Sequence, residues 1–272
     1  MRNQEEVYKR YIKPFELVEE LGLNCGYEKS FKLIEHHLLR NRYLLGIEKS
    51  SLEHQQLTSI CEQMEMPERF LHKLLKHFPD ANLVLLGFEE GIEDCTYKIY
   101  LEYWDKIRMG MSGKHPSRDP VTMFQGFKWN AFNNSQAVLT DYTCYPLIEI
   151  DEIIEHIGKL GSSCGDSTIF DIAIEIVSNA AQLANQQPFI YLEASEDGNP
   201  RNSFDINLYP ADISMKFIYP SLVDLFRHYA ITNEELDLLY REVHSRTLGH
   251  LSAGIDRAGK DFFTVYYENP SQ

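Results

Sequence analysis

Phe204-Asp205-Ile206-Asn207-Leu208-Tyr209 alternates strictly between apolar and polar side chains, and so does Tyr97-Lys98-Ile99-Tyr100-Leu101-Glu102. Successive side chains on a strand point to opposite faces, so each segment has one apolar face and one polar, tyrosine-bearing face. Phe189-Ile190-Tyr191-Leu192-Glu193 reads the same way, with Ile190 and Leu192 set against Tyr191 and Glu193. Near the start, Phe31 and Leu33 oppose Glu28, Ser30 and Lys32.

Outward from these segments, the strands come in pairs. Residues 30–34 and 42–47 form the first, joined by a polar turn that contains His and Asn, and 82–88 with 96–104 form the second. The third, 123–132 with 136–144, turns at Asn133-Asn134, a good hairpin signal. Residues 189–194 with 203–209, and 249–256 with 262–268, complete the set. Helical spacing appears between the pairs, beginning with Val7, Tyr11, Phe15 and Val18 and continuing at 52–64, 67–78, 149–160, 168–185, 220–229 and 233–247. The stretch 109–120, with basic residues and prolines, reads as a mobile loop. Five antiparallel pairs separated mostly by helices predict an α/β fold. Its core is a ten-stranded antiparallel barrel of five αββα-type repeats, helices outside, in a single domain over 1–272. An open sheet, helices on one side and water on the other, would show the same alternation; the regular run of hairpins favours the barrel.

In a helix-covered barrel the apolar faces meet the helices and the polar faces line the lumen. That lumen then collects Arg42, Lys32 and Lys98 beside Glu28, Glu102, Glu193 and Asp205, with Tyr100, Tyr191, Tyr209 and Tyr266 among them. Cations can hold an anionic leaving group such as diphosphate. Tyrosine rings can stabilise a carbocation through their negative faces and exclude water from it. A carboxylate can take a proton. The three roles together suggest alkyl transfer from a diphosphate.

Composition narrows the alternatives. The chain has 26 basic and 41 acidic side chains, a formal net charge of −15, which argues against nucleic acid or an anionic membrane as partner. The longest apolar run, 82–88, is far too short to span a bilayer, and the N-terminus lacks the apolar core of a signal peptide. Five cysteines without a C-x-x-C pair fit reduced thiols in a cytoplasm. Asp151-Glu152-Ile153-Ile154-Glu155 looks like a magnesium-binding acidic motif, yet Ile150, Ile153, Ile154 and Ile157 form the apolar stripe of that helix, which leaves the acids on its wet face. No H-E-x-x-H, G-x-G-x-x-G or P-loop pattern occurs, and His36-His37 sits in a turn.

The run Cys25-Gly26-Tyr27-Glu28-Lys29-Ser30-Phe31-Lys32, followed by Arg42-Tyr43-Leu44-Leu45, resembles the first hairpin of the αββα-barrel (ABBA) prenyltransferases, most closely the cyanobactin peptide prenyltransferases. Val84 to Phe88 with Tyr97-Lys98-Ile99, Gly126-Phe127 with Asn133-Asn134, and Val265-Tyr266-Tyr267 are similar to later hairpins of that family. The resemblance implies Glu28 as catalytic base and Arg42 and Lys98, with Lys32, as diphosphate-binding cations. It implies dimethylallyl diphosphate as donor, Mg²⁺ as an aid to the leaving group, and a side chain of a cyclic or linear ribosomal peptide as acceptor. Where relatives carry further basic residues after the lysine of the second hairpin, this sequence has Tyr100 and Glu102. The resulting acidity would suit a cationic acceptor side chain such as arginine, held by Glu102, Glu193 and Asp205; tyrosine and tryptophan are the other acceptors. A barrel prenyltransferase acting on a small aromatic molecule, and a non-catalytic ligand-binding barrel, are the rival readings.

Overall fold

The computed structural model describes residues 3–112, 116–162, 164–184 and 187–268. Helix α1 (Gln4–Glu20) leads into the first hairpin, β1 (Gly26–Ile34) and β2 (His37–Glu48). Helices α2 (His54–Gln63) and α3 (Glu68–His77) precede β3 (Leu83–Glu90) and β4 (Cys95–Glu102). After α4 (Trp104–Met111) come β5 (Val121–Asn130) and β6 (Asn133–Cys144), then α5 (Ile150–Ser162) and α6 (Thr168–Ala181). Strands β7 (Ile190–Ser195) and β8 (Asn202–Asn207), helices α7 (Tyr219–His228) and α8 (Asn233–Val243), and strands β9 (Leu248–Ile255) and β10 (Asp261–Glu268) follow.

Every strand pairs antiparallel with its chain neighbour, and β1 also pairs with β10, so the sheet closes into a ten-stranded barrel. The closing register sets Glu28 opposite Glu268, Ser30 opposite Tyr266 and Lys32 opposite Thr264. Closure leaves no free sheet edge. Because the strands follow one another around the barrel, the five hairpin turns fall at one end and the helix-bearing connections at the other.

The apolar strand faces point outward, as the alternation requires. One core layer packs Phe31, Phe204, Ile206, Leu251 and Val265 under α5, α6, α7 and α8; another packs Tyr43, Leu45, Leu86, Phe88, Ile99 and Trp129 under α1, α2 and α3. In α5 the buried residues include Ile153 and Ile157, while Asp151 and Glu155 are exposed. The acidic stretch is thus a solvated helix face. No helix among the described residues is long and apolar enough to cross a membrane.

Several local expectations are corrected. The first hairpin turns tightly at Glu35-His36, with His36 left-handed at φ 62°, so His37 and Asn41 belong to β2. The third turns at Ala131-Phe132 rather than Asn133-Asn134. There the Asn130 side-chain oxygen accepts from the backbone N–H of Phe132 at 2.9 Å and of Asn133 at 3.2 Å, a side-chain turn that the flanking pattern concealed. The expected loop at 109–120 begins inside α4 and continues into β5 at Val121, with 113–115 outside the described residues.

One strand face is also inverted. Leu192 pairs directly with Asp205, and directly opposed residues share a face, so Ile190, Leu192 and Ala194 face the lumen with Asp205. Tyr191 and Glu193 therefore point outward, against the expectation that they line the barrel. Tyr191 is fully buried and stacked on Phe204 at 6.2 Å. Glu193 accepts from Tyr145 Oη at 2.7 Å and Tyr191 Oη at 3.1 Å and lies 2.9 Å from His156 Nδ1. The two are a satisfied polar cluster between barrel and helix, which a polar-means-lumen rule misplaces.

Gly254 shows how tightly the hairpin end is packed. Its φ is +153°, and a Cβ there would lie 2.3 Å from the Asn202 carbonyl oxygen and 2.4 Å from Ser203 Cα. Backbone cannot yield as a flexible side chain does. Gly254→Ala is expected to destabilise by about 3 kcal/mol or more, lowering Tm by roughly 6–12 °C in a thermal melt.

Candidate functional site

The lumen opens at the helix-bearing end into a cavity of about 590 Å³. Three layers follow along its axis: acids at the mouth, tyrosines below them, and cations at the hairpin end.

At the mouth, Glu28 enters from β1 and its Oε1 accepts from Tyr209 Oη at 2.7 Å. Tyr209 lies just past the end of β8 in a short helical turn, Tyr209–Ala211, and still lines the cavity. Its ring meets the His250 imidazole edge-on at 5.6 Å, and His250 Nδ1 lies 2.9 Å from Asp205 Oδ1. Gly249 makes this close approach feasible, since a Cβ there would sit 2.6 Å from Tyr209 Oη and 2.9 Å from Glu28 Oε1. Burial raises the Glu28 carboxyl above the ordinary range, against the pull of His250 and Tyr209. Burial alone would lower His250, but Asp205 and Glu28 together raise it to about 9, so it is a cation at neutral pH. Glu102 also lines the mouth, raised by burial and then by Glu48.

Beneath lie Tyr100 from β4, Tyr142 from β6 and Tyr266 from β10. Tyr100 and Tyr142 meet at 5.8 Å, and Tyr100 fits only because the residue opposite is Gly126, whose Cβ would stand 2.7 Å from its ring. Burial raises the phenols of Tyr100, Tyr142 and Tyr266, so these rings stay neutral.

The hairpin end holds six cations. Arg42, Lys98 and Lys32 gather on Glu89: Arg42 and Lys98 pair with it directly and Lys32 stands 3.8 Å away. Arg257, Arg201 and Lys128 gather on Glu196. Arg257 binds it bidentately at 2.6 and 2.8 Å, and Arg201 and Lys128 lie 3.5 and 3.9 Å off. Thr140 Oγ1 also donates to Glu196 at 2.5 Å, and Lys128 Nζ reaches Tyr142 Oη at 2.9 Å, tying this layer to the tyrosines. Six cations on two carboxylates leave a formal excess of four. Arg42 is only 6% exposed, with its Nη1 against Glu89, and the Nε of the largely buried Arg201 faces Glu196. Buried positive charge without matching anions is the property of an anion site.

The excess shows in the lysines. Burial lowers Lys98 to about 7 although Glu89 pulls it upward, and Arg42 lowers it further; burial lowers Lys32 to about 8. The sign of the linkage follows. Above pH 7 to 8 these lysines begin to lose protons, and a bound anion restores them. Binding of an allylic diphosphate analogue is expected to weaken from pH 6.5 to 9 and to take up protons at pH 8. Calorimetry in two buffers of different ionisation enthalpy checks this, and Lys98→Met is expected to remove the lower inflection.

Of the residues expected from the sequence, Glu28, Lys32, Arg42, Lys98, Tyr100, Glu102, Asp205, Tyr209 and Tyr266 share one lumen; Tyr191 and Glu193 do not. Sequence reading missed Lys128 and Tyr142, each in the polar parity of its own strand, Glu89, whose face of β3 otherwise carries Leu83, Leu85 and Gly87, and also His250, Glu196, Arg201 and Arg257. The last three lie in or beside hairpin turns, where alternation carries no signal. Among the described residues no group of three or more His, Cys, Asp or Glu is placed to hold a metal. Glu89 and Glu196, the acids nearest the cations, are already engaged by them.

No protein-family model and no curated protein sequence matches the chain. Solved structures do. The 6-dimethylallyltryptophan synthase of Micromonospora olivasterospora, in complex with DMASPP and Trp, is 14% identical, with 89% of this chain and 81% of that one covered at a TM-score of 0.54. NotF prenyltransferase is 12% identical over 89% and 80%, with a TM-score of 0.55. Prenyltransferase PriB, with L-tryptophan and dimethylallyl thiolodiphosphate, is 11% identical over 89% and 79%, with a TM-score of 0.56. These matches correct the resemblance to cyanobactin peptide prenyltransferases and the ribosomal-peptide acceptor drawn from it: two of these three similar structures were solved with tryptophan. The reason lies in β1. Glu28, Ser30 and Lys32 are successive lumen positions, so the C-x-x-E-x-S-x-K run reports how a strand of such a barrel is lined, not which acceptor enters. The chain has the αββα prenyltransferase-barrel fold.

Proposed function

We propose that this chain transfers a dimethylallyl group from its diphosphate to an aromatic small molecule. The observation that carries the proposal is the order of layers in one lumen: cations, then neutral tyrosines, then a carboxylate at the mouth. A diphosphate monoester carries close to three negative charges, which three arginines and three lysines on two carboxylates can accommodate as the anion draws protons onto lysines that burial has lowered. Its allylic tail then lies among Tyr100, Tyr142 and Tyr266, and an aromatic ring fits above it beside Glu28. A cavity near 590 Å³ lies within the range of about 300–1,000 Å³ usual for small-molecule sites.

In the reaction, the bond between the donor's C1 and its bridging oxygen breaks, and diphosphate leaves with the electron pair into the field of Arg42, Lys98 and Lys128. The allylic cation is held against neutral ring faces and away from water. A ring carbon of the acceptor forms the new bond to the allyl group, and Glu28 takes the proton that this carbon sheds. A carboxylate raised by burial is a better base than an ordinary one. Tyr209 fixes its orientation. Any magnesium would arrive with the diphosphate, and no step here runs through it.

The test is mass spectrometry of indole and phenol acceptors incubated with protein and dimethylallyl diphosphate. The expected result is a product heavier by one dimethylallyl unit. Donor analogue binding without any such product would sink the transfer reading and favour a ligand-binding barrel.

A further inference from the structure

The charge of the cavity wall restricts the acceptor beyond its being aromatic. Glu28, Glu102, Asp205 and Glu268 line the mouth, and among the described residues no lysine or arginine does. The one basic group there is His250, whose Nδ1 is already engaged by Asp205. No hydrogen bond or ion pair from a described residue engages the half-buried Glu102 carboxylate; its charged surroundings are Glu48 and His250. Among the described residues the lysines and arginines of the lumen sit at the other end, below the tyrosines. The gradient along the axis is therefore polar in both senses, basic where a diphosphate would lie and acidic where the acceptor enters.

We infer that the acceptor is an aromatic molecule bearing a protonated amine or amidine-type group and no free carboxylate, with Glu102 as the carboxylate that receives its charge. This rests on the proposed transfer reaction and names its second substrate by class. A cation on the acceptor answers the unpaired Glu102 and the net negative mouth. Among the described residues a carboxylate on the acceptor finds no arginine or lysine partner there and faces like charges, which discriminates against amino acids and aryl acids. An unmodified tryptophan carries both groups, so its amine gains what its carboxylate loses. An arylalkylamine keeps the gain alone.

Four acceptors with one indole ring separate the contributions: the 3-ethylamine, the 3-ethyl compound, the 3-propionate and tryptophan. Each is followed by kcat/KM with dimethylallyl diphosphate, and by Kd in the presence of dimethylallyl thiolodiphosphate. The ethylamine is expected at least tenfold above the ethyl compound in both readouts, with tryptophan and the propionate below the amine. Glu102→Gln is expected to shrink the amine-to-ethyl ratio about tenfold, and Glu102→Asp to restore most of it. The inference is overturned if the propionate or tryptophan matches the amine, or if Glu102→Gln leaves the ratio unchanged. Should the ethyl compound be prenylated with no advantage to the amine, this inference alone fails. Should no acceptor be prenylated or bound while the donor analogue binds, the transfer reading itself fails and takes this one with it.

Discussion

Glu28→Gln is expected to slow turnover at least a hundredfold while the donor still binds. Glutamine keeps the shape of the side chain and an oxygen that can accept from Tyr209 Oη, now 2.7 Å from the carboxylate. It cannot take the proton that the acceptor ring must lose. General-base catalysis contributes roughly 10²–10⁴-fold, so the loss belongs in kcat. The substitution also removes one of the three nearby acids that raise His250, Asp205 and Glu102 remaining, so His250 titrates lower in the variant. Single-turnover rates with donor prebound isolate the chemical step. A loss below about fivefold would remove Glu28 from the reaction.

Arg42→Met and Glu89→Gln are expected to change donor affinity in opposite directions. Arg42 is almost fully buried, pairs with Glu89, and its Nε lies 3.3 Å from Ser30 Oγ. Removing it takes one cation from the anion site and leaves Glu89 short of a partner, so donor analogue binding is expected to weaken roughly a hundredfold or more. Glu89→Gln takes away the carboxylate that the cations now serve, and at an effective dielectric near 20 its charge is worth enough to tighten binding by about tenfold. General damage to the barrel would weaken both. Only an anion site in which Glu89 offsets part of the positive charge gives one loss and one gain, read by calorimetry at one pH below 7.

The fold was legible in the sequence because alternation shows the two strand faces and the regular run of five hairpins favours a barrel over an open sheet, which the β1–β10 pairing then closes. Tyr97 to Glu102 and Phe204 to Tyr209 display their two faces openly, and the helical stripes between hairpins supply the outer layer. Side placement failed at β7, where Tyr191 and Glu193 are polar but outward. Their partners, Tyr145 and His156, come from the β6–α5 connection and from α5, far back along the chain, and local alternation holds no record of them. Glu28, the first three cations and two of the three tyrosines could be read from parity. The second carboxylate with its cations could not, because Glu196, Arg201 and Arg257 are supplied by the β7–β8 and β9–β10 connections. Acceptor class was also beyond the first-hairpin motif, whose Glu28, Ser30 and Lys32 show only how β1 lines the lumen.

The central claim is that the hairpin end binds the donor's diphosphate and the tyrosine layer its allylic tail. A crystal structure with dimethylallyl thiolodiphosphate tests it most directly, since the anomalous signal of sulfur and phosphorus fixes the leaving group. The diphosphate is expected against Arg42, Lys98 and Lys128, with the sulfur pointing to the mouth and the dimethylallyl carbons between Tyr100, Tyr142 and Tyr266. A diphosphate bound at the acidic mouth, or outside the barrel, would contradict the account.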